Sequence, residues 1–212
     1  MEMTEPLMAP VFLSTGERLI VVFGGGRVAL RKCLHFKGFR IKAVAADILP
    51  EIEDLASETV RERVDTTRIG EHISGAFLVI AATDSRELND AVRDLCLSEG
   101  VPVNSAHGGG DILIPSVLRR GKYAVAVSTE GRAPAFPPYV IRAIDGMLDG
   151  GYDLMLDLIM DIRPAVMEGI PSQPDRAAFL ASVLDDPEVW GLLREGHPDA
   201  ARDAALRKGG LR

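Results

Sequence analysis

Residues 19–32 read LIVVFGGGRVALRK, and this stretch decides the fold of the first half of the chain. Leu19–Phe23 is continuously apolar and rich in valine, which is typical of a strand buried on both faces of a parallel sheet. Three glycines follow at once, and the apolar residues after them recur at helical spacing: Val28, Leu30, Cys33 and Leu34. A buried strand, a glycine turn and a helix in this order predict a turn that binds phosphate groups.

The alternation of strand and helix signals continues as far as residue 103. Further strands are predicted at Ile41–Ala45, Arg61–Val64, Phe77–Ala82 and Val101–Val103, and further helices at Pro50–Ser57 and Glu87–Ser98. Short connections between such elements predict right-handed parallel crossovers, hence an α/β fold with a Rossmann-type doubly wound parallel sheet. Ahead of it, residues 11–23 (VFLSTGERLIVVF) predict an edge hairpin around a Ser-Thr-Gly turn.

The character of the sequence changes after Asp111. Residues 112–129 (ILIPSVLRRGKYAVAVST) predict two apolar strands around an Arg-Arg-Gly turn. From Pro137 onward the signals are helical, interrupted by glycine, proline and acidic capping residues. We therefore place a domain boundary near residue 113, and we expect the strand pair and its helical tail to serve dimerisation.

Composition limits the classes of protein to be considered. Of 212 residues, 47% are hydrophobic and 26% are charged, as in globular proteins, and no apolar run approaches the ~20 residues of a membrane span. The acidic N-terminus lacks the basic region of a signal peptide. A net charge of −7 argues against a nucleic-acid partner, because phosphate binding requires clustered cations. Cys33 and Cys96 lack zinc or CxxC spacing, so we expect buried thiols and a cytoplasmic location.

The glycine turn matches the fingerprint of a dinucleotide site. In Gly24-x-Gly26-x-x-Ala29 the first glycine permits a tight turn, the second lets backbone approach a pyrophosphate, and the alanine allows close packing of helix on sheet. Asp47 follows the second predicted strand, at about the ~20-residue distance at which an acid binds a ribose hydroxyl. The acid favours NAD over NADP as the cofactor.

A second set of small residues is predicted to border the same site. Ala81, Ala82 and Thr83 end a central strand and leave room where doubly wound sheets bind ligands. Arg40 and Lys42 lie near Asp47 in the sequence and leave NADP open as an alternative. The predicted cofactor-binding residues are Gly24, Gly25, Gly26, Arg27, Val28, Asp47, Ala81, Ala82, Thr83 and Asn104.

Five stretches in order resemble one known family. They are GGGRVALRK (24–32), AATDSRELN (81–89), VPVN (101–104), IPSVLRRG (114–121) and AVAVSTEGRAPA (124–135). They are similar to motifs of the dehydrogenase module of siroheme synthases, the precorrin-2 dehydrogenase family, some of whose members are also sirohydrochlorin ferrochelatases. The resemblance extends roughly over residues 8–145, and the tail after it is similar in length and helical character.

The resemblance implies an activity and a layout. The activity is the NAD-dependent oxidation of precorrin-2 to sirohydrochlorin by a symmetric homodimer with a tetrapyrrole site. The layout places an NAD-binding Rossmann domain at residues 1–113, a small α+β dimerisation domain at 114–145 and a C-terminal helical domain at 146–212. Because precorrin-2 carries eight carboxylates, an acidic protein needs local cations to bind it. The candidates are Arg119, Arg120, Lys122, Arg132 and Arg142.

The stretch NSAHGGGD (104–111) departs from the family's pattern. Family members carry Asn-Val-Val-Asp here, and the resemblance implies an acid–base role for that aspartate, whose place is taken by His107. Hydride transfer to a nicotinamide needs a partner for the accompanying proton, and histidine, with an ordinary pKa of ~6.5, suits neutral pH better than aspartate at ~3.9. We predict His107 as the acid–base residue. Asp111 is one alternative, either orienting the imidazole or acting itself, since Gly108–Gly110 allow the backbone to fold back. A role of the stretch in loop structure or in hydrogen bonding to the substrate is the other alternative.

Three alternatives stay open at this point. The missing aspartate is also compatible with a tetrapyrrole- or NAD-binding protein that has lost turnover. A Rossmann dehydrogenase for another substrate would explain the glycines but leaves IPSVLRRG and STEGRAPA without a role. Ferrochelatase activity is a further open alternative, but no metal site is predicted, because no other His or Cys lies at ligand spacing from His107.

Overall fold

The computed structural model describes residues 8–211. Residues 1–7, at the N-terminus where no signal peptide is predicted, and residue 212 lie outside the described part. The chain divides into two compact units, Met1–Ile114 and Pro115–Arg212. No helix between residues 8 and 211 combines the length and the hydropathy that a membrane span requires.

The first unit contains a parallel sheet of five strands in the order β3-β2-β1-β4-β5. The strands are β1 Gly16–Phe23, β2 Phe39–Ala45, β3 Glu58–Arg61, β4 Leu78–Ala81 and β5 Val103–Ser105. Val21, in the central strand, pairs with Lys42 of β2 on one side and with Val79 of β4 on the other. This order corresponds to the first five strands of the order 3-2-1-4-5-6 that is typical of Rossmann folds, which confirms the predicted fold class.

Helices cover both faces of this sheet. They are α1 Arg27–His35, α2 Pro50–Glu53, α3 Ile69–Ile73 and α4 Arg86–Glu99. Ile20 and Val22 of β1 belong to the core on the α1 side, whereas Val21 and Phe23 belong to the core on the α4 side. All four side chains are fully buried, which is why the strand reads as an unbroken apolar run.

The two cysteines lie on opposite faces of the sheet. Cys33 packs in the α1 core and Cys96 in the α4 core, and both are free and fully buried, as predicted. Burial raises the pKa of each thiol to about 11. Both residues therefore pack as small apolar side chains.

Three details of the sheet differ from the sequence-based prediction. The predicted edge hairpin does not form, because residues 11–15 have no strand and Phe12 is 72% exposed. The third strand comes earlier than Arg61–Val64, since pairing with β2 begins at Glu58. The fifth comes later than Val101–Val103, because its pairing with β4 runs from Val103 to Ser105. All three differences have the same cause, because pairing with a neighbouring strand decides whether and where a strand forms. The local periodicity of the sequence does not show that pairing.

The second unit begins with the predicted strand pair and continues as helices. Strand β6, Ser116–Arg119, is antiparallel to β7, Ala124–Val127, and helix α5, Phe136–Met147, packs on both. The remaining helices are α6 Gly151–Gly169, α7 Gln173–Leu184, α8 Pro187–Arg194 and α9 Pro198–Lys208. They enclose a core of their own that includes Leu158, Ile162, Val183, Val189 and Ala205.

Candidate functional site

A cleft of about 950 Å³ opens in the first unit where β1, β2 and β4 end. Its walls are the glycine turn after β1, residues 46–50 after β2, residues 62–66 after β3 and residues 82–85 after β4. The strand order reverses between β1 and β4, which is where doubly wound sheets bind ligands. Eight of the ten predicted cofactor-binding residues line it: Gly24, Gly25, Gly26, Arg27, Val28, Asp47, Ala82 and Thr83.

The glycine turn is held tightly by its neighbours. Gly24 has φ +122°, a conformation that side chains disfavour, and its N–H donates to the Val44 carbonyl at 3.0 Å. Leu49 N–H donates to the Gly25 carbonyl at 3.0 Å. The turn is therefore hydrogen-bonded both to the end of β2 and to the loop that follows β2.

The start of α1 fits a pyrophosphate. Its N-cap residue, Gly26, offers no side-chain cap, and a Cβ built on Gly26 would meet no atom within 4 Å. The first-turn N–H groups of the helix therefore face the cleft without a side chain over them. Uncapped N–H groups and the positive end of the helix dipole are what a phosphate needs.

Acidic side chains border the cleft beyond β2. Asp47 is exposed and follows the end of β2 by two residues, as predicted, and Glu62 also lines the cleft. The two cations that left NADP open point to other partners: Arg40 lies 4.0 Å from Glu17, and Lys42 lies 3.3 Å from Glu58. Neither of these two cations lines the cleft, although Arg27 and Arg63 do.

Thr83, at the edge of the cleft, is bonded to a buried amide that sequence reasoning missed. Its N–H and its hydroxyl donate to Asn89 Oδ1 at 3.0 and 2.8 Å, and Asn89 Nδ2 donates to its carbonyl at 3.0 Å. Asn89 is fully buried. The signal was present in the sequence, because Asn89, Val92 and Cys96 share one face of α4.

His107 follows β5 in the turn that carries the three glycines. Its side chain is exposed, and Nδ1 lies 3.0 Å from Asn89 Nδ2. His107 does not itself line the cleft, but through Asn89 it is one residue away from Thr83. Thr83, Asn89 and His107 thus form a continuous chain of hydrogen bonds from the cleft to the exposed turn.

Asp111 has a different position. Gly108 and Gly109 have φ of +86° and +80°, and the chain folds back beside β5, as predicted. Asp111 Oδ1 accepts a hydrogen bond of 2.7 Å from Val103 N–H, and Ile112 N–H donates to the Val103 carbonyl at 3.1 Å. The carboxylate therefore binds the backbone at the beginning of β5.

Ala81 and Asn104, the other two predicted cofactor residues, do not line the cleft. Ala81 is fully buried in the α4 core. Asn104 is buried on the α1 side, where its Oδ1 accepts from Lys32 Nζ and its Nδ2 donates to the Ile112 carbonyl at 2.8 Å. Asn104 thereby connects α1 to β5 and to the segment that returns beside it.

Lys32 is the second polar residue that sequence reasoning missed. It is 9% exposed and lies with Ala29 and Cys33 on the buried face of α1, a position that the helical spacing reveals. Burial, and to a smaller extent the positive charge of Arg31, lowers the pKa of Lys32 from 10.5 to about 8.

The five predicted substrate-binding cations lie in the second unit. Arg120 donates to Asp145 Oδ1 at 2.5 Å, Lys122 pairs with Asp157, and Arg132 lies 3.2 Å from Glu130. Arg119 and Arg142 are exposed, and neither has an ion pair with another of residues 8–211. No group of three or more His, Cys, Asp or Glu in that same range is arranged to hold a metal ion.

The glycine turn leads to a first prediction. Gly25→Ala should prevent stable folding, because the new Cβ would overlap the Asp47 carbonyl oxygen. Gly26→Ala should fold normally but bind NAD at least ~10-fold more weakly, because its methyl group would occupy the space that a phosphate approaches. Thermal unfolding and calorimetric titration measure the two effects. Equal NAD affinity in Gly26→Ala and wild type would contradict the phosphate site.

Lys32 leads to a second prediction, on the pH dependence of stability. The unfolded chain keeps this lysine protonated up to about pH 10.5, whereas the folded protein releases the proton near 8, so it binds fewer protons in between. Stability contributed by this site therefore rises with pH between about 8 and 10.5. The free energy of unfolding of Lys32→Met minus that of wild type should therefore be larger at pH 7 than at pH 10.5. The expected change in this difference is up to roughly 3 kcal/mol.

Urea unfolding of both proteins across this pH range measures the difference. Comparing the two proteins cancels the opposing contribution of Cys33 and Cys96, whose raised pKa values lower stability above pH 9. Lys37→Met is the control, because it makes the same change at an exposed residue two positions after the end of α1. A pH-independent difference between Lys32→Met and wild type would rule out the lowered pKa.

Comparisons with known proteins agree with this cleft. The family described as "Putative NAD(P)-binding" matches residues 11–116. Over 203 residues the chain is 32% identical to the precorrin-2 dehydrogenase of Methanosarcina barkeri (strain Fusaro / DSM 804), covering 92% of this chain and 91% of that protein. It is 32% identical over 198 residues to the siroheme synthase of Thioalkalivibrio sulfidiphilus (strain HL-EbGR7), covering 92% of this chain and 40% of that longer protein.

A solved structure has the same fold. It is that of "SirC, precorrin-2 dehydrogenase", which superposes with a TM-score of 0.74 at 23% identity and covers 96% of this chain and 99% of that chain. The strand order, the cleft and the match to nearly the whole length of the M. barkeri protein lead to one conclusion. The chain belongs to the precorrin-2 dehydrogenase family.

Proposed function

We propose that this protein is an NAD-dependent precorrin-2 dehydrogenase that forms sirohydrochlorin in siroheme biosynthesis. The observation that carries the proposal is the cleft, in which an uncapped helix start lies behind Gly26 and is bordered by Asp47. The chain that forms this cleft matches 91% of the length of a precorrin-2 dehydrogenase. The siroheme synthase of T. sulfidiphilus is more than twice as long as the matched region, so the proposal concerns only the activity that the matched 40% of that protein would carry.

The cofactor is assigned to the residues that line the cleft. The backbone of Gly24–Gly26 and the first turn of α1 would hold the pyrophosphate, and Asp47 would bind the ribose hydroxyls; all of these residues line the cleft. Thr83 lies two residues after β4, on the side of the cleft from which hydrogen bonds continue through Asn89 to His107. When bound, NAD supplies the nicotinamide ring that accepts a hydride.

We assign the catalytic contact with the substrate to His107. Its exposed ring is connected to the edge of the cleft through Asn89 and Thr83. Asp111, the other predicted candidate, uses a carboxylate oxygen to accept the Val103 N–H, and moving it would leave that N–H without its partner. We therefore favour His107, whose ring is exposed, over Asp111, whose carboxylate is hydrogen-bonded to the backbone.

Binding of the octacarboxylate substrate is assigned first to Arg119 and Arg142. Both are exposed cations, and neither is ion-paired within residues 8–211, so their guanidinium groups are available for bidentate carboxylate contacts. Arg120, Lys122 and Arg132 already have acidic partners, with which a substrate carboxylate would have to compete.

The three-part layout and the homodimer are also proposals. The strand pair with α5 and the separate core of α6–α9 support a dimerisation domain at 114–145 and a helical domain at 146–212. Helix α5 leaves large apolar side chains exposed: Phe136 at 54%, Tyr139 at 60% and Met147 at 73%. Such a surface fits burial against a second copy of the chain in the cytoplasm.

An anaerobic assay with purified protein, precorrin-2 and NAD tests the function. We expect NADH and the absorption spectrum of sirohydrochlorin to appear together. Binding of NAD and sirohydrochlorin without NADH formation would instead favour a binding protein. Turnover of another substrate alone would favour a different dehydrogenase. Adding ferrous or cobalt ion to the same reaction reveals whether metal insertion follows.

A third prediction concerns His107. His107→Ala should lower kcat by about 100-fold, the effect expected when a polar group that contacts the reacting substrate is removed, while the Kd for NAD changes less than ~2-fold. Steady-state kinetics and titration calorimetry give the two numbers. Asp111→Asn, whose amide oxygen still accepts the Val103 N–H, is the comparison and should keep kcat within ~3-fold of wild type. The reverse order of effects would move the role to Asp111.

A fourth prediction concerns the choice of cofactor. Asp47→Ser should reduce the preference for NAD over NADP by at least ~10-fold in kcat/KM, because the carboxylate that repels a 2′-phosphate is removed. Glu58→Gln, which changes an acid outside the cleft, should leave the preference as it is. Unaltered selectivity in Asp47→Ser would show that another residue selects the cofactor.

A further inference from the structure

The side-chain amide of Asn89 has its orientation fixed by a single neighbour. Thr83 N–H lies 3.0 Å from Asn89 Oδ1, and the Thr83 carbonyl oxygen lies 3.0 Å from Asn89 Nδ2. A backbone N–H only donates and a carbonyl only accepts, so the oxygen and nitrogen of the amide cannot exchange places without losing both bonds. Asn89 is fully buried, and losing them would leave polar groups unpaired inside the protein.

The fixed amide determines what His107 presents to a ligand. The second N–H of Asn89 Nδ2 is directed at Nδ1 of His107, 3.0 Å away. Nδ1 therefore accepts this bond, and in a neutral imidazole the other ring nitrogen then carries the proton. We infer that Asn89 is a positioning residue that holds neutral His107 in the tautomer protonated at Nε2.

This tautomer determines whether His107 donates or accepts a hydrogen bond when it meets a ligand. The tautomer itself does not depend on the proposed function, and only its role in catalysis rests on that function. Nε2–H is a hydrogen-bond donor, and the lone pair of the neutral ring is engaged by Asn89. His107 thus meets the substrate as a donor to one of its carboxylates. The oxidation delivers a hydride, two electrons and one proton, to NAD and releases one further proton. That proton leaves to solvent, because Nε2 of the neutral ring does not accept it.

The residue type at position 89 is what selects the donor. A carboxylate in this place would accept a hydrogen bond from Nδ1–H and leave the lone pair on Nε2, the arrangement of a histidine that acts as a base. The asparagine does the opposite. The hydroxyl of Thr83, 2.8 Å from Asn89 Oδ1, adds a further bond to the amide oxygen and so supports the same orientation.

Two-bond ¹H–¹⁵N correlation spectra of the full chain labelled with ¹⁵N-histidine test the tautomer without any ligand. The protein has four histidines, and the signals of His107 are those lost in His107→Gln. At about pH 8 we expect a protonated Nε2 and an unprotonated Nδ1. A protonated Nδ1 in the wild-type protein overturns the inference.

Substitutions at Asn89 show whether this residue is the cause. Asn89→Asp should move the proton to Nδ1, and Asn89→Ala should give the tautomer mixture of an unrestrained histidine. Asp90→Asn, the next residue on α4, which pairs with Arg93, is the matched control and should leave the His107 nitrogens unchanged. Identical His107 nitrogen shifts in wild type and both folded Asn89 variants would refute the positioning role. If a variant does not fold, the wild-type spectrum still decides.

Kinetics separates the donor role from the proposed function. His107→Gln keeps an N–H donor near the position of Nε2 and has no titratable group, so it should retain a kcat at least ~10-fold above that of His107→Ala. Equal loss in both variants would overturn the donor role. Wild-type protein that has the Nε2–H tautomer but does not oxidise precorrin-2 would refute the proposed function and leave the positioning by Asn89 intact.

Discussion

The turn between β1 and α1 passes so close to two neighbouring strand ends that no side chain fits between them. A Cβ on Gly24 would overlap the Ala82 carbonyl after β4, and one on Gly25 would overlap the Asp47 carbonyl after β2. Gly26, one residue on, meets nothing. The close contacts of the first two glycines draw three strand ends together, and the open third glycine leaves the start of α1 facing the cleft. Packing of the sheet and access to the helix start thus depend on the same three residues.

Buried polar groups extend this arrangement to β5 and the turn after it. On the α1 face, Lys32 donates to Asn104, which donates to the Ile112 carbonyl. On the α4 face, Asn89 connects Thr83 with His107. The exposed turn is therefore held from both sides of the sheet, although its three glycines would be mobile in isolation. Burial lowers the pKa of Lys32 to about 8, so this connection is formed at a cost in stability at neutral pH.

Much of the first unit could be predicted from local sequence. Apolar runs of characteristic length predict the strand, glycine turn and helix at residues 19–35 and the parallel arrangement of the strands, although not their order. The predicted edge hairpin is wrong, because Val11, Phe12 and Leu13 form a short apolar run but are exposed and belong to no strand. Among the site residues, the turn and Asp47 lie in the cleft as expected, whereas Asn104 faces Lys32 and Ala81 lies in the core.

The sequence by itself determined the class of fold and the position of the cofactor turn, because glycine, apolar and capping residues act over a few positions along the chain. It also pointed to His107 and Asp111 as the residues that replace a family aspartate. Only the tertiary structure showed that they have different surroundings: Asp111 accepts a backbone N–H of β5, and His107 accepts an N–H from Asn89. The partner of each side chain comes from an element far along the chain or across a turn. Hydrogen bonds of this kind are decided by packing in space, which spacing along a sequence does not encode.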